Sequence, residues 1–324
     1  MSDPKLFELA LTQLLAADAI IVAAGAGMSA EAGLPTYWDN GLWSNTSEYD
    51  GKDIRDFLSP KYLNDQPLKL ATFYGNYLRD ISAHFPHRGY YALRVLLELL
   101  AAHKGDPESH FVLTSNIDGY FEEAGFDQNR IVEHHGAIHW WQCLYNCQER
   151  VFDLSAEKLH YCYQGDKSIL DFPPECNTKL ISGIQSNRLL PLCNECAQPI
   201  RPNVRMFSDL YWCNKRTVSQ EQRFQAWLKK RRRKKLVGLV IGVGETIPTV
   251  GNYCRHYCDS IITINPDPKG HRTKETSEML FNTSASYALH GILKALESRL
   301  ISECPESSST NPVHLNACEG ELCS

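Results

Sequence analysis

The stretch from Ala19 to Pro35, AIIVAAGAGMSAEAGLP, constrains the fold more than any other. An apolar run stops at Gly25 and Gly27, and small residues with one acid follow. A continuous apolar run of this length reads as a strand buried on both faces of a parallel sheet. The glycines mark a tight turn, where the backbone bends sharply and can come close to a ligand. The residues after them open a helix with Ser29 as the expected N-cap, which leaves free amides to face an anion such as a pyrophosphate. A ligand-free β–α turn of small residues has the same appearance, because short glycine motifs match often by chance.

The rest of the chain repeats this grammar. Leu6 to Ala17 has helical spacing, and Thr36 to Trp43 is an aromatic, turn-rich loop. From Asp53 to about Ala102 the pattern is mostly helical. There Tyr91, Leu93, Leu96, Leu97 and Leu100 are expected to line one buried face, with Arg94 and Glu98 outside, until Lys104-Gly105-Asp106-Pro107 breaks the pattern. His110 to Thr114 is a strand ending in Ser115-Asn116-Ile117-Asp118, and Ile131 to Glu133 is another, followed by His134-His135-Gly136. Leu236 to Val243 is a strong buried strand that again ends in glycines, Gly242 and Gly244. Ile261 to Asn265 is closed by Pro266-Asp267-Pro268, and Ser284 to Leu300 reads as a last helix. Strands alternating with helices predict a doubly wound parallel α/β sheet. Ligands in such sheets bind beyond the carboxyl ends of the strands, where these polar clusters fall, so a single composite site is expected.

At 324 residues the chain fits one large domain with a smaller insertion. A net charge of −5 gives no case for nucleic-acid binding. Met1 to Ala10 lacks the layout of a secretory signal, and no apolar run has the length of a membrane span, so a cytoplasmic protein is expected. The basic run Lys229 to Lys235 fits a solvated segment before a strand, with a nuclear-import signal as the alternative. Twelve cysteines in such a chain point to a metal rather than to disulfides. Cys193 and Cys196 have the spacing of a zinc half-site, and Cys143 and Cys147 fit a slightly wider one. Cys162 and Cys176, in the gap between the pairs, can each substitute. Cys213, Cys254 and Cys258 read as ordinary thiols. Asn116 and Asp118 suit either a helix cap or a ligand site. His134 and His135, as neighbours on an extended chain, point to opposite sides, so only one can face a ligand.

With these pieces in place the chain resembles the sirtuin family of NAD-dependent protein deacylases. Gly25 to Thr36 is similar to its first NAD motif. Thr114-Ser115-Asn116-Ile117-Asp118 resembles its Thr-Gln-Asn-Ile-Asp motif, and Glu133-His134-His135-Gly136 its catalytic His-Gly segment. Arg201 to Asp209 is similar to the Arg-Pro-Asp-Val-Val-x-Phe-Gly-Glu strand that holds the substrate peptide. Gly242 to Thr246 stands at a Gly-Thr-Ser loop, and Ile264-Asn265 matches a late Ile-Asn that contacts the adenosine ribose. The resemblance implies a Rossmann-like NAD domain (1–42, 105–137 and 201–300), an inserted helical module (43–104) and a zinc module (138–200), and the composition of Pro305 to Pro312 makes 301–324 a disordered tail. It implies cofactor contacts from Gly25, Ala26, Gly27, Ser29, Glu31, Thr36, Tyr37, Trp38, Ser115, Asn116, Asp118, His135, Gly242, Val243, Gly244, Thr246, Asn265 and Pro266. His135, Asn116 and Asp118 would be catalytic, and Cys143, Cys147, Cys193 and Cys196 would hold one structural zinc. The implied reaction removes an acyl group from a lysine of a protein substrate and releases nicotinamide and O-acyl-ADP-ribose. The acyl oxygen attacks the ribose carbon as nicotinamide leaves, and His135 takes a proton from a ribose hydroxyl.

The chain also departs from the family. Trp38 stands where an arginine is usual, and an indole cannot supply that charge. Tyr37 replaces a phenylalanine, Tyr90 a structural histidine, and Ser208-Asp209 a Gly-Glu pair. The Gly242-Val243-Gly244 loop and Trp140-Trp141-Gln142-Cys143 resemble the macrodomain-linked branch, which transfers ADP-ribose to protein and generally lacks the catalytic histidine kept here. Protein mono-ADP-ribosyltransferase, NAD glycohydrolase and a non-catalytic NAD sensor therefore stand as alternatives.

Overall fold

The structure is a computed structural model that describes residues 4–34, 54–153, 176–180, 189–244, 248–266 and 278–303. Helix α1 (Pro4–Ala16) leads into β1 (Ala19–Ala24) and the short α2 (Ala26–Ala30). Helices α3 (Ile54–Phe57), α4 (Pro60–Asp65), α5 (Pro67–Ser82) and α6 (Arg88–Lys104) precede β2 (His110–Thr114). Then come α7 (Tyr120–Glu123), β3 (Ile131–Glu133) and the five strands β4 (Gly136–Cys143), β5 (Val151–Asp153), β6 (Cys176–Leu180), β7 (Leu189–Cys193) and β8 (Ile200–Val204). The chain continues through α8 (Lys215–Lys230), β9 (Leu236–Ile241), α9 (Thr249–Tyr257), β10 (Ser260–Ile264), β11 (Glu278–Phe281) and α10 (Ala285–Glu303).

Six strands form one sheet in the order β11-β10-β9-β1-β2-β3, with every described pairing parallel. Strand β1 lies in the middle, with Val22 opposite Val112 on one side and Leu239 on the other. All six of its residues are buried, as its unbroken apolar run requires. Alternate residues feed opposite faces. Ile20, Val22 and Ala24 join a core with α1, α6 and α10, whereas Ile21 and Ala23 pack with Phe111, Phe224 and Trp227 on the other face. The chain lays β2 and β3 to one side of β1 and later returns to lay β9, β10 and β11 on the other. The order therefore reverses between β1 and β9, and the crevice beyond their carboxyl ends is the expected ligand position.

A second sheet, β5-β4-β8, is antiparallel, and β6 and β7 form a separate antiparallel pair. Helix α6 stops where Gly105 takes the left-handed conformation (φ 62°), which suits glycine at a helix end. On that helix the buried tyrosine is Tyr90, and Tyr91, expected inside, is exposed. The cause is phase: Tyr90 shares a face with Leu93 and Leu97, while Tyr91 lines up with the solvent-facing Arg94. Strand β9 ends at Ile241, two residues earlier than its apolar run suggests, and α10 extends past Leu300 to Glu303. Residues 304–324 lie outside the described ones. The basic run closes α8 and the turn after it. Within that run Arg231 is buried, stacked 4.4 Å from the Trp227 ring and paired with Asp106 at 2.9 Å, while Arg232, Arg233, Lys234 and Lys235 are exposed.

Candidate active site

The glycine turn after β1 is built by backbone contact. A Cβ on Gly25 would lie 2.6 Å from the Gly242 carbonyl oxygen, and one on Gly27 would lie 2.7 Å from Gly242 Cα. Gly242 itself has φ +58°, and the Gly27 N–H donates to its carbonyl at 3.0 Å. The glycines thus clamp the turns after β1 and β9 together across the switch point. Two amides of the expected helix-start cradle are thus already committed, Gly27 to the Gly242 carbonyl and Met28 to the Gly25 carbonyl.

Ser29 also differs from expectation. The N-cap of α2 is Gly25, without a side-chain bond, and Ser29 sits inside the helix, 3% exposed. Its hydroxyl donates to Asp118 Oδ2 at 2.6 Å and accepts from Asn116 Nδ2 at 2.9 Å. Tyr90 Oη lies 2.8 Å from the same oxygen. A serine hydroxyl has one proton and two lone pairs. With the proton given to the carboxylate and one lone pair taken by Asn116, Tyr90 must be the second donor. Asn116, Asp118 and Tyr90 are themselves buried. This is a closed network beyond the ends of β1 and β2. Burial pushes the Asp118 carboxyl and the Tyr90 phenol above their ordinary values. Asp118 Oδ1 also accepts from the Tyr120 amide at 3.0 Å, so it caps α7 as well.

His135 lies in the turn between β3 and β4, with Nδ1 3.1 Å from the Ser115 carbonyl oxygen. A carbonyl only accepts, so Nδ1 carries the proton and Nε2 keeps its lone pair. Burial depresses its pKa; the Ser115 bond opposes that shift, and the charge of Arg205 adds to it. The imidazole is therefore neutral at pH 7 and able to accept a proton. His134 turns away as expected for adjacent residues: it packs on Tyr253 and lies 3.6 Å from Glu221, and burial holds its pKa at about 4.

Other predicted site residues fall around this cluster. Asn265 is buried and its Nδ2 donates to the Val243 carbonyl at 3.3 Å, which joins the ends of β9 and β10. Gly244 and Pro266 are exposed beside it, and Ala26 opens α2. Ser115 donates its amide to the Ala24 carbonyl. Glu31 is exposed, and its carboxylate accepts from the Ser286 amide at the start of α10. Thr36, Tyr37, Trp38 and Thr246 lie outside the described residues. Sequence reasoning missed the inward role of Tyr90, for which helical phase was the available signal. It also missed Arg205, whose amide donates to the His135 carbonyl at 2.9 Å.

Away from this crevice the four expected cysteines converge. Their sulfurs all lie within 4.8 Å of one another, with Cys143 and Cys196 at 3.4 Å and Cys147 and Cys193 at 3.5 Å. Four Zn–S bonds of ~2.3 Å in a tetrahedron set the sulfurs ~3.8 Å apart, so the donor set fits a closed site for one ion. Cys176 pairs with Cys193 across β6 and β7 through the backbone; its side chain and Cys162 lie outside the described residues.

A six-stranded parallel sheet with helices on both faces, a buried polar cluster beyond the ends of β1 and β2 and a cysteine-clustered lobe define a Rossmann-like α/β protein. The chain belongs to the Sir2 family, whose profile matches residues 25–225. It is 30% identical over 199 residues to an NAD-dependent protein deacylase of Desulfosudis oleivorans, a match that covers 60% of this chain and 64% of that protein, less than two thirds of its length. It is 25% identical over 303 residues to NAD-dependent protein deacetylase 2 of Caldanaerobacter subterraneus subsp. tengcongensis, covering 92% and 99% of the two chains. Among solved structures it is similar to a Sir2 homolog–NAD complex, with a TM-score of 0.61 and 18% identity over 90% of this chain and 94% of that one. At that identity the likeness shows the fold.

Proposed function

We propose that the protein is an NAD-dependent protein-lysine deacylase that releases nicotinamide and O-acyl-ADP-ribose. The observation that carries this reading is His135, neutral, oriented by Ser115 and with Nε2 free of any described partner, beside the Ser29–Asn116–Asp118 network. Proton transfer at a ribose hydroxyl needs a base of this kind, and general-base catalysis contributes ~10²–10⁴-fold. The relatives named above are NAD-dependent deacylases and deacetylases, which supports both the cosubstrate and the acyl-lysine substrate.

The residues present fit NAD by their chemistry. Asp118 supplies acceptors for a carboxamide N–H, and Asn116 can both donate and accept. Gly244, Asn265 and Pro266 line the far side of the switch point, where an adenosine ribose would lie. When bound, NAD supplies an electrophilic ribose carbon with nicotinamide as the leaving group. Ser29, through its bonds to Asn116 and Asp118, fixes the two side chains that would hold the nicotinamide. His135 holds its proton on Nδ1 and receives the substrate proton on Nε2. One zinc ion on Cys143, Cys147, Cys193 and Cys196 would be structural, since four thiolates leave no open position. A cytoplasmic location, with the nucleus as the alternative, completes the reading, and imaging of the tagged chain checks it.

The test is incubation with NAD and acetyl-lysine peptides, with a His135→Ala variant as control. Deacylated peptide formed only with NAD and only by the wild type supports the reading. Activity that survives in the variant contradicts it.

A further inference from the structure

Arg205 lies one residue past β8, which is an edge strand of its sheet, and its backbone N–H donates to the His135 carbonyl at 2.9 Å. The resembled strand motif has a valine at this place. Other arginines in the fold are neutralised: the buried Arg201 by Asp209 and the half-buried Arg216 by Glu133 and Glu122. Arg205 is exposed, and among the described residues no carboxylate pairs with it. Asp209, the acid closest to it in sequence, is committed to Arg201 and to the Met206 and Tyr211 amides. The Arg205 guanidinium instead lies over the Trp212 ring, 5.5 Å from its centroid. The Trp212 indole N–H is itself buried with no acceptor among the described residues.

Cation–π attraction to an indole face holds a guanidinium from one side and leaves N–H groups free. Those groups match a carboxylate in a two-pronged bond. The position therefore offers a pre-oriented, unneutralised cation next to the base. An edge strand beside it can pair with an extended peptide through main-chain hydrogen bonds.

We infer that Arg205 is a specificity residue that receives a carboxylate carried by the substrate close to the reacting acyl-lysine. The identity of that substrate rests on the deacylase reading, whereas the demand for an anion rests on Arg205 itself. The carboxylate can come from the end of an acidic acyl chain or from an aspartate or glutamate flanking the lysine. In either case it would screen the charge that now opposes protonation of His135, so binding and proton acceptance would support each other.

The experiment compares peptides that differ only in that carboxylate. One pair carries acetyl-lysine flanked by glutamate or by glutamine, and the other carries lysine acylated with a succinyl group or its uncharged amide. The ratio of kcat/KM within each pair is measured for wild type, Arg205→Ala and Arg205→Glu. Within at least one pair the carboxylate member is favoured by about 10-fold in the wild type, as befits a charge-assisted bond that is partly solvent-exposed. The ratio falls to near one in Arg205→Ala and inverts in Arg205→Glu, and the responding pair names the source. Equal ratios in all three proteins overturn the inference. Fluorescence anisotropy of the same labelled peptides gives binding ratios under the same criterion. A protein that binds peptide without deacylating it would thus refute the enzymatic reading and still decide the role of Arg205.

Discussion

Replacing Tyr90 with phenylalanine removes one atom from a network whose hydrogen-bond count is closed. Tyr90 is fully buried, and its ring packs edge-on to Tyr120 and Phe121 with centroids 6.0 and 5.0 Å away. Phenylalanine keeps those contacts, so the change isolates the hydroxyl. The Ser29 oxygen loses one of its two donors and keeps an unmet lone pair in a buried position. A lost hydrogen bond of this kind costs ~1 kcal/mol, rising to ~2 kcal/mol because the serine also donates to a carboxylate. For a chain of this size the melting temperature should drop by ~1–2 °C per kcal/mol. The decisive assay is a double-mutant cycle with Ser29→Ala, read by denaturant unfolding and by NAD affinity. With Ser29 absent, the Tyr90 hydroxyl has lost its bond to the serine and keeps only Asn116 beside it, so the two changes should couple by ~1 kcal/mol. Losses that add to within ~0.3 kcal/mol would refute the closed network and with it the assigned donor direction.

Three further outcomes follow from the same geometry. His110 and His134 are both held at about 4 by burial, below the unfolded value of ~6.5. Their contribution is complete above pH ~6.5 and is lost as pH falls toward 4, on the order of 2–3 kcal/mol each. Urea unfolding between pH 7 and 4 checks this, and His110→Phe should flatten the slope. Because burial and Arg205 lower the His135 pKa, the acid limb of kcat/KM should lie below the ordinary histidine range. Removing that charge with Arg205→Ala should move the limb to higher pH; an unmoved limb means that Arg205 does not act on the base. Atomic absorption should find one zinc per chain, and Cys193→Ser should lose it together with much of the lobe's protection from proteolysis. A chain with no zinc would leave the four sulfurs unexplained.

The sheet was legible because β1, β2, β9 and β10 are apolar runs that end in glycine or polar residues. The cysteine set was legible because each ligand pair is local. What escaped were relations across the chain. The glycines at 25 and 27 read as a ligand cradle, yet Gly242, more than two hundred residues later, explains their missing side chains. Ser29 looked like a cap because a small polar residue near a helix start usually is one. Its partners lie 87 and 89 residues on, and no local pattern announces them. Tyr90 and Tyr91 differ by one step of helical phase, and that step, which sets Tyr91 in line with Arg94 and Glu98, is what puts Tyr90 inside. Arg205 sits in a stretch that matches a substrate strand, so its charge was absorbed into the motif.

The measurement that bears most directly on function is mass spectrometry of the products formed from NAD and an acetyl-lysine peptide. Equal amounts of nicotinamide, deacylated peptide and O-acetyl-ADP-ribose are expected, with all three absent in His135→Ala. ADP-ribose attached to protein, ADP-ribose free in solution, or NAD left intact would each contradict the deacylase reading.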